Sequence, residues 1–177
     1  MAPDAQWRLR IALSRYARLR CPSETLALRW ADIEFTDDVM KITSSKTAKQ
    51  EKGTRQMPIL PELRPHLEDA FDPQNEFVIT RYRDSNANLR PQFLRILNKA
   101  EIESWPRLFH NLQGSLETDL LQHFPIHVVT TWLGHSPKIA LAHYNKTTTE
   151  NIAKATGKAP SEDGAKGGAP FSGNKPP

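Results

Sequence analysis

Arg20, Lys46, His110, His135 and Tyr144 lie far apart in this chain, yet their side chains together suit the handling of an anion. Arginine and lysine donate charged hydrogen bonds to anionic oxygens. Histidine moves protons near neutral pH, and a tyrosine oxygen can act as a nucleophile. Arg20 stands just before a helix, Lys46 in a hairpin loop, and His110 opens the run His110-Asn111-Leu112-Gln113. Leu133-Gly134-His135 comes next, with Tyr144 nine residues beyond His135. Each residue also has an ordinary structural reading. Arg20 alone is a surface arginine at a helix end, His135 a cap on the Gly134 turn, and Tyr144 a half-buried aromatic. The lysine position is open among Lys46, Lys49 and Lys52.

Six histidines raise the question of a metal. His123 and His127 are four apart, but Pro125 lies between them and no glutamate follows the first, as a hydrolytic zinc helix requires. With one cysteine and no acidic cluster nearby, neither a metal nor a small-molecule cofactor is expected.

The elements that must position these residues follow from periodicity. Apolar residues from Trp7 to Leu19 predict a helix ending near Leu19-Arg20. Pro22 suits a first helical position, and residues 23–30 read as a second, short helix. Residues 33–35 and 39–42 are strand candidates around the turn Thr36-Asp37-Asp38, and residues 57–60 form a third after a polar loop. A helix is predicted over 62–71, with Pro65 restricted to its first turn or kinking it, then a short apolar run at 77–80. Helices follow over 89–100, over 108–121 (Leu112, Leu116 and Leu120 four apart), over 128–133 up to Gly134, and over 137–144. The fold class is α+β, mostly helical, with a three-stranded antiparallel sheet near the N-terminal end. Residues 1–156 form the expected domain and 157–177 a disordered Gly-, Pro- and Lys-rich tail.

Composition narrows the classes. A chain of 177 residues, 38% hydrophobic and 25% charged, holds one domain with a real core. No run of 18 apolar residues exists and the start is not a signal peptide, so no membrane partner is expected. The lone Cys21 fits a cytoplasmic location. Net charge is +4, with six arginines against Asp4 and Glu24 in the first 30 residues. An arginine-rich first helix suits a phosphate-facing surface, or a solvated helix face.

The stretch Ala17-Arg18-Leu19-Arg20-Cys21-Pro22-Ser23-Glu24, followed by Leu28-Arg29-Trp30-Ala31-Asp32-Ile33, resembles the catalytic domain of tyrosine recombinases, the phage-type integrases. That family carries its first catalytic arginine in a Gly-Leu-Arg-x-x-Glu box with a Leu-x-x-Asp-Ile pattern behind it. Ser44-Ser45-Lys46-Thr47 looks like its hairpin lysine, and Leu133-Gly134-His135 with His143-Tyr144 like its last histidine box and nucleophile. The resemblance covers roughly residues 5–150. It implies double-stranded DNA as partner, homo-oligomers on that DNA, and cutting and rejoining through a 3′-phosphotyrosine intermediate. Arg20 would then clamp the phosphate, Lys46 act as general acid, His110 and His135 bond the phosphate or accept a proton, and Tyr144 attack.

Two departures from the pattern bear on activity. The family's His-x-x-Arg box reads His110-Asn111-Leu112-Gln113 here, so a neutral amide replaces the second arginine. Losing one preorganised donor costs about 10² to 10³ in rate, and losing a transition-state arginine about 10³ to 10⁵. The family's N-terminal core-binding domain is also expected to be absent. A lesser departure is Arg18 where the family has glycine, a strained residue if that backbone takes a positive φ. These features predict an integrase domain of a mobile element with impaired cleavage. The alternatives are a non-catalytic DNA-binding module and a decayed remnant.

Overall fold

The computed structural model describes residues 4–43 and 53–134. The chain divides into a unit spanning Met1–Ala140 and another spanning Leu141–Pro177. Every described residue belongs to the first; the predicted helix over 137–144, the boundary near 156 and the tail lie outside the described residues.

Helix α1 runs Ala5–Tyr16, opened by Asp4, whose carboxylate accepts from the Trp7 N–H at 2.9 Å. It stops three residues before the predicted end. Arg18 adopts φ +55°, and the Leu19 N–H turns back to the Leu13 carbonyl at 3.2 Å. The left-handed step that a glycine usually signals is taken here by an arginine, which hid the helix end from the periodicity. Helix α2 is Ser23–Ala27, shorter than predicted because Leu28 turns extended; Pro22 caps it instead of occupying its first turn.

After a 3₁₀ turn at Trp30–Asp32, β1 (Ile33–Glu34), β2 (Val39–Thr43) and β3 (Thr54–Pro58) form an antiparallel sheet in the order β1-β2-β3. The third strand begins three residues earlier than predicted, because Thr43 pairs with Thr54 and Ile42 with Arg55. Met40, Ile42 and Met57 are buried on one face, and Arg55, two residues before Met57, shares that face. The run at 77–80 forms no strand. Phe77 makes a single bridge to Arg29, and Val78 N–H donates to Leu28 O.

Helices α3 (Arg64–Asp69), α4 (Arg90–Lys99), α5 (Leu108–Leu121) and α6 (Ile126–Leu133) complete the described unit. The main core joins Leu9 and Leu13 of α1, the sheet, Leu67, Leu116 and Leu120 of α5, and Val129 and Leu133 of α6. A second cluster packs Trp7 against Phe93, Ile96, Leu97 and Leu108. Trp30 and Trp132 are partly buried against the main core. No helix among the described residues is long and apolar enough to cross a membrane. The architecture is the α+β arrangement, mostly helical with one small antiparallel sheet, that the sequence predicts.

Candidate active site

Arg20 sits in the turn between α1 and α2, and its own carbonyl accepts from the Glu24 and Thr25 N–H groups at 2.9 and 3.2 Å. Its side chain is 52% exposed, with Nη1 3.5 Å from Glu24 Oε1. In the arginine box the glutamate follows the arginine by three residues, whereas Glu24 follows Arg20 by four. The turn at Cys21 and Pro22 takes up the extra residue and still delivers the carboxylate to the arginine.

Glu24 is the hub of the cluster. Its side chain is only 2% exposed, and a carboxylate taken out of water needs charged partners. Besides Arg20, Arg55 reaches it with both terminal nitrogens, Nη2 at 3.1 Å and Nη1 at 3.5 Å. The Glu24 carboxylate also accepts the Arg20 backbone N–H at 3.1 Å.

A second ion pair lies alongside. Arg18 Nη2 is 3.6 Å from Oε2 of the buried Glu117 on α5, and Arg18 Nη1 donates to Leu133 O at the end of α6. Burial lowers the pKa of the Arg18 guanidinium, with Glu117 opposing and Arg55 and Arg20 reinforcing the shift. Three guanidiniums (Arg18, Arg20, Arg55) thus face two carboxylates (Glu24, Glu117), which leaves an excess of positive charge around the half-exposed Arg20.

Gln113, on α5, is half-buried, and its Nε2 donates to Leu19 O at 2.8 Å. The position where an arginine is expected therefore abuts the residue before Arg20. His110 lies one turn earlier on the same helix and is exposed. The structure places Gln113 against the backbone of Leu19, the residue before Arg20. Lys46, with its neighbours Lys49 and Lys52, His135 and Tyr144 lie outside the described residues. The last described residue, Gly134, ends α6 with φ +69°, in the left-handed conformation expected of a helix-terminating glycine. His123 and His127 are both exposed, and among the described residues no group of three or more His, Cys, Asp or Glu side chains is placed to hold a metal.

Sequence reasoning missed Arg55, Arg18 and Glu117 as parts of this cluster. Arg55 falls two residues before Met57, on the inward phase of a strand whose first residues the sequence pattern did not reveal. Glu117 gave no signal, because a glutamate on a leucine-rich helix reads as solvated.

Chemically, a half-exposed guanidinium backed by a buried carboxylate suits the nonbridging oxygens of a phosphate. The phage integrase family model matches residues 4–151. Among solved structures, a Tn1549 transposon integrase in complex with transposon right end DNA superposes with a TM-score of 0.66 at 14% identity. XerA recombinase gives 0.66 at 16% identity. Each of those alignments covers 86% of this chain and 58% of the other, so the chain spans less than two thirds of their length. The catalytic domain of bacteriophage HP1 integrase gives 0.57 at 17% identity, covering 88% of this chain and 83% of that one. No curated protein matches the sequence.

Proposed function

The chain belongs to the phage integrase family, and on that premise we propose that it is a DNA-binding, site-specific recombinase domain whose cleavage step is slowed by Gln113. The Tyr144 oxygen attacks a backbone phosphorus in line and forms a 3′-phosphotyrosine bond as the bond to the 5′ oxygen breaks. Arg20 donates to the nonbridging oxygens as charge builds on them. Lys46 protonates the departing 5′ oxygen, while His110 and His135 bond the phosphate or take the phenol proton. Attack by a 5′-hydroxyl on the phosphotyrosine reverses these steps, so rejoining conserves the bond energy without an energy cofactor.

The observation that carries this reading is the Arg20–Glu24 ion pair, with the Gln113 amide held on the carbonyl of Leu19, the residue before Arg20. The complex of the Tn1549 integrase with transposon right end DNA supports DNA as the partner, and pairing two sites for exchange calls for a homo-oligomer. Binding is tested by fluorescence anisotropy with labelled duplexes across a salt series. Log affinity should fall linearly with log salt, because binding releases counterions from the DNA phosphates; an affinity indifferent to salt contradicts DNA binding.

One observation favours a second reading, a non-catalytic DNA-binding module. The Gln113 amide is engaged by the Leu19 carbonyl and supplies no charge toward a phosphate. In that case DNA affinity falls steeply with salt and is indifferent to Tyr144→Phe.

A further inference from the structure

We propose that Arg55 is the positioning residue of this site: its guanidinium fork balances the buried Glu24 carboxylate, so that Arg20 stays directed outward instead of being drawn onto Glu24. The inference deepens the recombinase reading and rests on it only for its catalytic consequence. The geometry itself is independent of any reaction.

Glu24 is 2% exposed and Arg55 11% exposed, whereas Arg20 is 52% exposed. The contacts rank in the same order. Arg55 Nη2 approaches Glu24 Oε2 at 3.1 Å with Nη1 3.5 Å from the second oxygen, while Arg20 Nη1 stands 3.5 Å from Oε1. A buried carboxylate takes the nearest cation available, and a planar fork occupies both of its oxygens at once. With Arg55 removed, the Arg20 guanidinium, already 3.5 Å from Oε1, is the cation best placed to replace it. The phosphate-facing charge would then turn inward.

Arg55 also ties this pair to the last box. Its side-chain Cδ packs so close to Gly134 that a Cβ added there would lie 2.8 Å away, and its Nη2 reaches the Arg18 carbonyl at 3.5 Å. Gly134 immediately precedes His135 in sequence. One strand residue thus meets the arginine box through Glu24 and the end of α6 through its aliphatic stem.

The test is the reactivity of Arg20 toward phenylglyoxal, followed by peptide mass spectrometry on the full chain. In Arg55→Met, modification of Arg20 should slow about threefold or more, as strengthening of an exposed ion pair requires. In Arg55→Met with Glu24→Gln the buried charge is gone, and the wild-type rate should return. Arg55→Lys retains charge without the fork and should slow Arg20 to a lesser degree, which keeps the test readable if the methionine variant does not fold. An unchanged or faster Arg20 rate in the folded Arg55 variants overturns the proposal. A catalytic readout separates it from the wider reading: in a Gln113→Arg background, Arg55→Lys should lower covalent adduct formation at saturating DNA with little change in Kd. Absence of adduct in the Gln113→Arg parent counts against the recombinase reading, and the phenylglyoxal rates still decide the role of Arg55.

Discussion

The side-chain amide of Gln113 donates a 2.8 Å hydrogen bond to the carbonyl of Leu19, the residue immediately before Arg20. A chain that places its two arginine boxes in contact has put a neutral donor in the second of them. The bond itself contributes a modest amount, because a half-buried amide–carbonyl pair replaces hydrogen bonds to water. Gln113→Ala should therefore destabilise the domain by about 1 kcal/mol in urea denaturation. Its DNA affinity should stay near that of the parent, since the amide brings no charge to the phosphates.

Arg18 sets backbone strain against charge burial. Its φ of +55° costs about 1 kcal/mol for a residue with a Cβ, which glycine would recover. The same substitution removes the guanidinium 3.6 Å from the buried Glu117 and the donor to Leu133 O. Stripping one partner from a buried pair costs about 3 kcal/mol, so the charge term wins. Arg18→Gly should lower the melting temperature, and adding Glu117→Gln should restore most of the loss.

Two glycines should respond to alanine with opposite signs. Gly134 has φ +69°, and a Cβ there would sit 2.8 Å from Arg55 Cδ. Gly134→Ala should destabilise by about 2 kcal/mol, from the left-handed backbone and the displaced arginine. Gly114, inside α5, has nothing within 4 Å of an added Cβ. Gly114→Ala should stabilise by about 0.5–1 kcal/mol through helix propensity. Equilibrium urea curves for both variants check the pair of signs.

Cys21 should be a sluggish nucleophile. Burial raises its pKa above the ordinary thiol value, and the Arg10 guanidinium 3.8 Å from Sγ only partly opposes this. At pH 8 the folded protein should react with iodoacetamide more slowly than the same chain in urea; equal or faster labelling contradicts the shift. Because the folded state holds the thiol proton more tightly, this contribution to stability is complete below the ordinary thiol pKa. It fades as pH rises through the folded value.

Legibility in the sequence followed locality. Helix α5 was readable to the residue because Leu112, Leu116 and Leu120 repeat at helical spacing between two prolines, and Gly134 announced the end of α6. The end of α1 was hidden because Arg18, not glycine, takes the left-handed step. The start of β3 was hidden because Thr54, Arg55 and Gln56 are polar, and only their ladder with β2 makes them a strand. At the site, Arg20 and Gln113 were visible as members of short boxes. The Arg55–Glu24 and Arg18–Glu117 pairs join residues 31 and 99 positions apart, a separation on which local pattern carries no information.

Covalent trapping on a nicked suicide duplex, resolved by denaturing electrophoresis, tests the central claim most directly. The unaltered chain should give little or slow protein–DNA adduct, and Gln113→Arg should raise the yield about tenfold or more, in keeping with the weight of one transition-state donor. Tyr144→Phe should abolish the adduct in both backgrounds. Rapid adduct formation by the unaltered chain, no gain from Gln113→Arg, or an adduct that survives Tyr144→Phe would contradict the account.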